Sequence, residues 1–228
     1  MRPMLARTRP DAGDGVEPPE PPRPDPGVEA NRRLTSVTGM VLLVLLAVQG
    51  YTVPQVRRLL TLHVFLGVLL VGPVLLKTAS TGYRFVRYYR GDRGYRDNGP
   101  PAPLLRLIGP FVIVSTFVLL GSGIALIVAG PAHRPLFLRL HQASFVLWFA
   151  AMTVHVLGHV REAALTTWRE LRARPEEPTG RRRRLRVAVV AGALVVGVGL
   201  AGALAPRAAH WTNDRFLIHG QAQKPPAP

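Results

Sequence analysis

The 228-residue chain contains no cysteine. This absence excludes disulfide bonds, iron–sulfur clusters held by thiolates and a covalently attached c-type haem. The chain also lacks a Walker A phosphate loop, a glycine-rich dinucleotide fingerprint and the nucleophile elbow of hydrolases. The common classes of soluble enzyme therefore find no support in the sequence.

Charge is scarce in long parts of the chain, although the chain as a whole is strongly basic. It has 29 Lys and Arg against 13 Asp and Glu, and 48% of its residues are apolar. Five apolar blocks contain no charged residue other than histidine, and they cover residues 34–53, 59–76, 107–130, 140–160 and 187–205. A helix needs about 20 apolar residues to cross the hydrocarbon of a bilayer, and the backbone there must satisfy its own hydrogen bonds.

These blocks predict an all-α integral membrane bundle with about five transmembrane helices, each near the length that a bilayer requires. We place the transmembrane domain at residues 31–205, with spans near 34–53, 59–77, 107–130, 136–160 and 187–205. Residues 1–30 are rich in Pro, Asp, Glu and Gly, so we expect a disordered tail there. We expect a second tail at residues 206–228.

The distribution of Lys and Arg predicts the orientation. Segments 1–33, 77–106 and 161–186 carry 6, 7 and 9 of these residues, whereas segments 54–58, 131–139 and 206–228 carry 2, 2 and 3. By the positive-inside rule the N-terminus is cytoplasmic and the C-terminal tail extracytoplasmic, in a cell inner (plasma) membrane. We read the arginine run 181–184 as an anchor beside anionic lipid rather than a nucleic-acid site.

Four of the seven histidines lie inside apolar blocks, namely His63, His141, His155 and His159. Ionisable residues are costly in a membrane and usually face the interior of the bundle. His141 and His155 belong to the same block. On one helix they would lie about 40° apart around the axis and about 21 Å apart along it. That spacing suits two haems stacked across a bilayer, each bound by one of the two histidines.

His63 pairs naturally with His141. Each lies a few residues into its own predicted helix, and the two helices run in the same direction. We therefore expect a haem b whose iron is bound by both imidazoles. The alternative is that they are helix-packing or proton-relay residues. Four arginines near the same depth are candidates for pairing with haem propionates or for snorkelling to the interface: Arg57, Arg58, Arg134 and Arg139.

The second haem position has one histidine, His155. Met40 in the first helix is the candidate for the other iron ligand, since Met/His ligation is established chemistry. The alternative is that Met40 is an ordinary apolar residue. Lys77 follows His63 at the same sequence interval that separates His155 from His141, so it stands where a second-helix ligand would be expected. We expect its side chain to snorkel to the interface.

Small residues predict close helix packing in two places. Gly67 and Gly72 follow His63, where they would admit a flat macrocycle or a neighbouring helix. Ala193, Gly197, Ala201 and Ala205 form a ridge on the fifth predicted helix. We expect this ridge to pack within the bundle, with a partner subunit as the alternative.

Over residues 31–165 the chain resembles the small bacterial membrane cytochromes b of the hydrogenase and formate-dehydrogenase type. The resemblance rests on His63 in the second helix and on His141 and His155 in the fourth. It implies two haems b in a four-helix core that pass electrons between a quinone pool and another redox carrier. This chain departs from the family because its first apolar block, residues 34–53, contains no histidine.

Two functions follow as hypotheses. The first is an electron-transfer cytochrome b of a respiratory chain, with one or two haems b, iron ligands at His63, His141 and His155, and membrane lipid, a quinone and a redox subunit as partners. The alternative is a cofactor-free protein, such as a proton-coupled carrier or an assembly subunit. The apolar blocks contain no Asp or Glu, which many proton-coupled carriers use. The sequence leaves open whether the protein is an enzyme, and an electron carrier or redox subunit is favoured.

Overall fold

A computed structural model of the chain describes residues 25–96, 103–129, 131–172 and 178–208. Within these ranges the chain forms α-helices, short 3₁₀ turns and connecting turns, and no strand. The α-helices are α1 (Pro26–Thr52), α2 (Leu60–Leu69), α3 (Val71–Tyr89), α4 (Arg93–Arg96), α5 (Pro103–Val128), α6 (Arg134–Arg172) and α7 (Pro178–Leu204). The predicted all-α bundle is confirmed.

Five helical stretches are long and apolar enough to cross a membrane. They are Pro26–Thr52, Leu60–Tyr89, Leu107–Val128, Arg134–Arg169 and Arg182–Ala208. Large apolar side chains on these helices point outward, such as Leu147 at 60% exposure and Val195 at 70%. Such a surface would be unfavourable in water, but hydrocarbon is its natural solvent. The chain is a multi-pass membrane protein.

The first helix begins earlier than predicted. Residues 26–30 belong to α1, although they were expected in the disordered tail. The Asp25 carboxylate caps the helix by accepting hydrogen bonds from the backbone N–H groups of Gly27 and Val28, at 2.6 and 3.3 Å. Pro26 occupies the first turn, where its missing N–H costs nothing. The rest of the predicted tail, and residues 209–228 of the C-terminal one, lie outside the described residues.

The second span is interrupted at Leu70, between α2 and α3. Pro73 explains the interruption, because proline has no N–H to donate to the carbonyl of Leu69 and its ring crowds that carbonyl. The two helices remain consecutive, and Leu60–Tyr89 forms one candidate span. The helix continues to Tyr89, beyond the predicted membrane span at residues 59–77.

The tightest packing joins this second span to α7. A methyl group added to Gly72 would overlap the carbonyl oxygen of Ala193, and one added to Gly197 would overlap the carbonyl oxygen of Leu69. Ala201 is fully buried in a cluster with Val68 and Leu69. The small-residue ridge of α7 thus packs inside the bundle as predicted, and Gly72 admits a neighbouring helix.

The arginine-rich segments meet at one end of the bundle. The Asn31 amide of α1 donates to the Ser80 carbonyl of α3 at 3.2 Å, and Arg182 of α7 donates to the Pro26 carbonyl at 3.0 Å. Arg32 lies 3.7 Å from Glu162 of α6. The Lys/Arg-rich set therefore shares one end, and its assignment to the cytoplasm stays a prediction.

Candidate functional site

His63 of α2 and His141 of α6 face each other in the bundle. Their ring centres are 6.4 Å apart and their planes are 89° from parallel. With a metal–nitrogen bond of about 2 Å and roughly 1.1 Å from ring centre to nitrogen, two imidazoles on opposite sides of one metal would have centres about 6.2 Å apart. The observed separation of 6.4 Å is close to that value. We call these two residues the histidine pair.

The surroundings of His141 select the tautomer that can bind a metal through Nε2. Its Nδ1 lies 3.1 Å from the carbonyl oxygen of Leu119 and 3.2 Å from the hydroxyl of Ser122. A carbonyl oxygen only accepts, so Nδ1 carries the hydrogen and donates it. The Nε2 lone pair is then available. Gly123 makes room for the ring, because a methyl group there would lie 3.1 Å from Cε1 of His141.

The surroundings of His63 hold its ring in place. Its Nδ1 lies 2.8 Å from the Thr52 hydroxyl, which also donates to the Gln49 carbonyl at 2.6 Å. Thr52 is fully buried at 0% exposure. The Gln49 side-chain amide lies 3.2 Å from the same Nδ1 and donates to the His63 backbone carbonyl at 3.1 Å. Contacts from the end of α1 thus hold the imidazole in a single orientation.

These residues fit a haem better than a bare metal ion. Within the described ranges no three His, Cys, Asp or Glu side chains come together as ligands for an ion. Two imidazoles alone leave most coordination positions empty, whereas the macrocycle of a haem supplies the others and needs only axial ligands. The spacing of the histidine pair and the hydrogen bonds to both Nδ1 atoms meet that requirement.

The structure places His155 beside His159, with ring centres 4.9 Å apart. The Lys77 ammonium donates to the Thr35 carbonyl of α1 at 2.6 Å. The Lys77 side chain thus packs against α1, and its snorkelling to the interface stays a prediction.

Met40 follows directly after Gly39, whose added methyl would lie 3.0 Å from Lys77 Nζ. None of the contacts described for this part of the chain joins Met40 to His155. Iron ligation by His155 and by Met40 stays a prediction, as does propionate binding by Arg57, Arg58, Arg134 and Arg139.

Sequence reasoning missed the residues that orient the histidine pair, namely Gln49, Thr52, Ser122 and Gly123. A signal was available for three of them. Gln49 is the one amide in block 34–53, and Thr52 and Ser122 are hydroxyls in apolar blocks. Buried polar side chains in a membrane need partners, so each could have been assigned as a candidate partner of a histidine.

No protein-family model matches this chain, and the searches of curated proteins and of solved structures also returned no match. The functional argument therefore depends on the site geometry.

Proposed function

We propose that the protein is a membrane cytochrome b that binds a haem b between His63 and His141 and carries electrons between a quinone pool and a redox partner. The observation that carries the proposal is the 6.4 Å separation of the two imidazole centres. The proposal is further supported by the contacts to both Nδ1 atoms, which orient the two rings, and by the Leu119 carbonyl, which leaves Nε2 of His141 for iron.

The bound haem would supply the one-electron chemistry, and the protein would set its position and potential. His63 and His141 would be the two protein ligands of its iron. Thr52 and the Leu119 carbonyl, each in contact with one Nδ1, fix the ring orientations, and the Leu119 contact makes the His141 imidazole a stronger donor to a metal. The lipid-facing apolar side chains around the bundle keep water away from the pair.

A second haem at His155, with Met40 opposite, remains part of the family resemblance. The haem-to-protein ratio decides it, because two bound haems give twice the pyridine haemochrome signal per chain. A ratio of one would leave the histidine pair as the single haem site.

The proposal predicts a cytochrome b spectrum. Protein purified from a haem-replete host should show Soret and alpha bands in its reduced-minus-oxidised difference spectrum. His63→Ala and His141→Ala should each abolish the bands from the pair, since a lone axial imidazole loses the second ligand. The matched control is His133→Ala, at an exposed histidine in the turn before α6.

The control variant should keep the full spectrum. A colourless wild-type preparation would contradict the proposal and favour the cofactor-free alternative, a proton-coupled carrier or an assembly subunit. Proton-coupled flux in haem-free liposomes would then identify the carrier.

A further inference from the structure

His155 and His159 bring two imidazoles together on one face of α6, an arrangement that we call the His155–His159 site. Four residues separate them in the sequence, which corresponds to about 6 Å of helix rise and about 40° around the helix axis. Their ring centres lie 4.9 Å apart and their planes are 57° from parallel. Two histidines at this spacing on one helix are a recurring arrangement of zinc ligands.

The distance between the two rings fits one metal ion bound by both. An imidazole nitrogen lies about 2 Å from a bound transition metal, and the ring centre lies roughly 1.1 Å further away. Two rings that meet at the metal at an angle of about 90–110° would have centres about 4.4–5.1 Å apart. The observed 4.9 Å falls within this range. The rings of His63 and His141, at 6.4 Å, are too far apart for adjacent positions on one ion.

One nitrogen of this site lacks a partner. Nδ1 of His155 is buried and makes no hydrogen bond within the described part of the chain. Buried polar atoms nearly always have partners, so an unpartnered one indicates that a further group binds there. Both side chains are only partly buried, and Arg161 follows His159 by two residues toward the arginine-rich end of the bundle. An ion from the water at that end can therefore reach the two imidazoles.

The charges around the two rings select the class of ion. Lys77 and Arg84 place positive charge near His159, and Glu162, three residues further along α6, places negative charge there. Because these charges oppose one another, binding of a cation must come from coordination by the imidazoles. Magnesium and calcium require oxygen ligands, whereas zinc and copper(II) bind imidazole well.

We propose that His155 and His159 bind a divalent transition-metal ion, zinc or copper(II), near the arginine-rich end of the bundle. The two imidazoles take adjacent positions on the ion. Water completes the coordination, since no third His, Cys, Asp or Glu joins them within the described ranges. His155 thereby has a role other than binding a second haem. The site requires no haem, so it is independent of the function proposed above.

Zinc titration of the full-length protein in nanodiscs of zwitterionic lipid tests the site, after purification through a tag that contains no histidine. Isothermal titration calorimetry measures the affinity. His155→Ala and His159→Ala should each weaken zinc binding by about tenfold or more, since loss of a ligand costs at least as much as loss of its hydrogen-bond partner. The matched control is His133→Ala, at the exposed histidine before α6, which should bind zinc as the wild type does.

A rescue variant separates coordination from packing. His159→Cys replaces one imidazole by a thiolate, which also binds zinc, in a chain that has no other cysteine. It should retain the zinc binding that His159→Ala loses. With copper(II), electron paramagnetic resonance should show coupling to two imidazole nitrogens in the wild type and to a single one in His159→Ala. His63→Ala should leave both results unchanged, because the ion does not bind at the histidine pair.

A wild-type protein that binds no zinc would overturn the proposal, as would unchanged affinity in both His155→Ala and His159→Ala. The same conclusion follows if His159→Cys loses as much affinity as His159→Ala, or if a second haem per chain disappears in His155→Ala. The proposed function fails separately, since a haem-free protein that still binds zinc through His155 and His159 would leave this site standing.

Discussion

The Thr52 hydroxyl is the most buried partner of the histidine pair. It lies at the end of α1, with its oxygen 2.8 Å from His63 Nδ1, and it donates to the Gln49 carbonyl at 2.6 Å. Together with the Gln49 side-chain amide, 3.2 Å from the same Nδ1, it fixes the position of the ring. A partner of this kind strengthens metal binding, because it keeps the ring from rotating away from the metal.

Thr52→Val should therefore weaken haem binding by about 10–100-fold, as loss of a hydrogen bond to a metal-binding histidine typically does. Valine keeps the shape of threonine, so the helix contact is retained. The rate of haem transfer to excess apomyoglobin measures the change. Thr153→Val is the matched control, because that exposed hydroxyl only donates back to Phe149 of its own helix at 2.8 Å. Equal rates in both variants would contradict the role given to Thr52.

At the scale of the helices, α7 and the second span interlock through backbone contacts. Pro73 leaves the carbonyl of Leu69 without its usual intrahelical donor. Gly197 of α7 lies directly against that carbonyl, and Gly72 lies against the carbonyl of Ala193. Small residues permit such an approach and allow weak Cα–H donors to meet the carbonyl oxygens. The small-residue ridge of α7 thus packs against the second span at the point where that span is interrupted.

Gly197→Ala should lower the free energy of unfolding by about 1–3 kcal/mol, because the added methyl group overlaps the Leu69 carbonyl and the helices must separate. Unfolding in SDS, followed by far-UV circular dichroism, measures the loss. Gly199→Ala on the same helix is the control, since nothing lies within 4 Å of its added methyl group. That variant should be unchanged or more stable by up to about 1 kcal/mol. A stable Gly197→Ala protein would show that the contact is looser than described.

For the whole molecule, the main feature is that the positive charges are concentrated at one end of the bundle. The contacts Asn31–Ser80 and Arg182–Pro26 bring the arginine-rich segments to one end of the bundle. The histidine pair lies toward the opposite end, and Lys77 and His155 lie between the pair and the arginines. If the arginine-rich end is cytoplasmic, the histidine pair lies in the outer leaflet.

The absence of cysteine allows a direct test of orientation, because any introduced thiol is the only one in the chain. Ala132→Cys, in the exposed turn before α6, should react with a membrane-impermeant maleimide in intact cells. Ala164→Cys, exposed near the other end of α6, should react only after the membrane is permeabilised. The reverse pattern would invert the orientation and exchange the two leaflets.

The helical class, the number of spans and the histidines on which the functional hypothesis depends could all be predicted from the amino-acid sequence. In lipid, an uncharged block of bilayer length is stable as an α-helix, because its backbone groups must form hydrogen bonds with one another. The depth of His63 and His141 followed from helix rise alone.

The groups that face these residues could not be predicted in this way. Thr52, Ser122 and Gly123 reach the histidine pair through helix rotation and packing, which a hydropathy pattern does not specify. The same holds for Lys77, whose ammonium donates to the Thr35 carbonyl of α1. Side-chain partners depend on how neighbouring helices fit together, and that fit is a property of the assembled bundle.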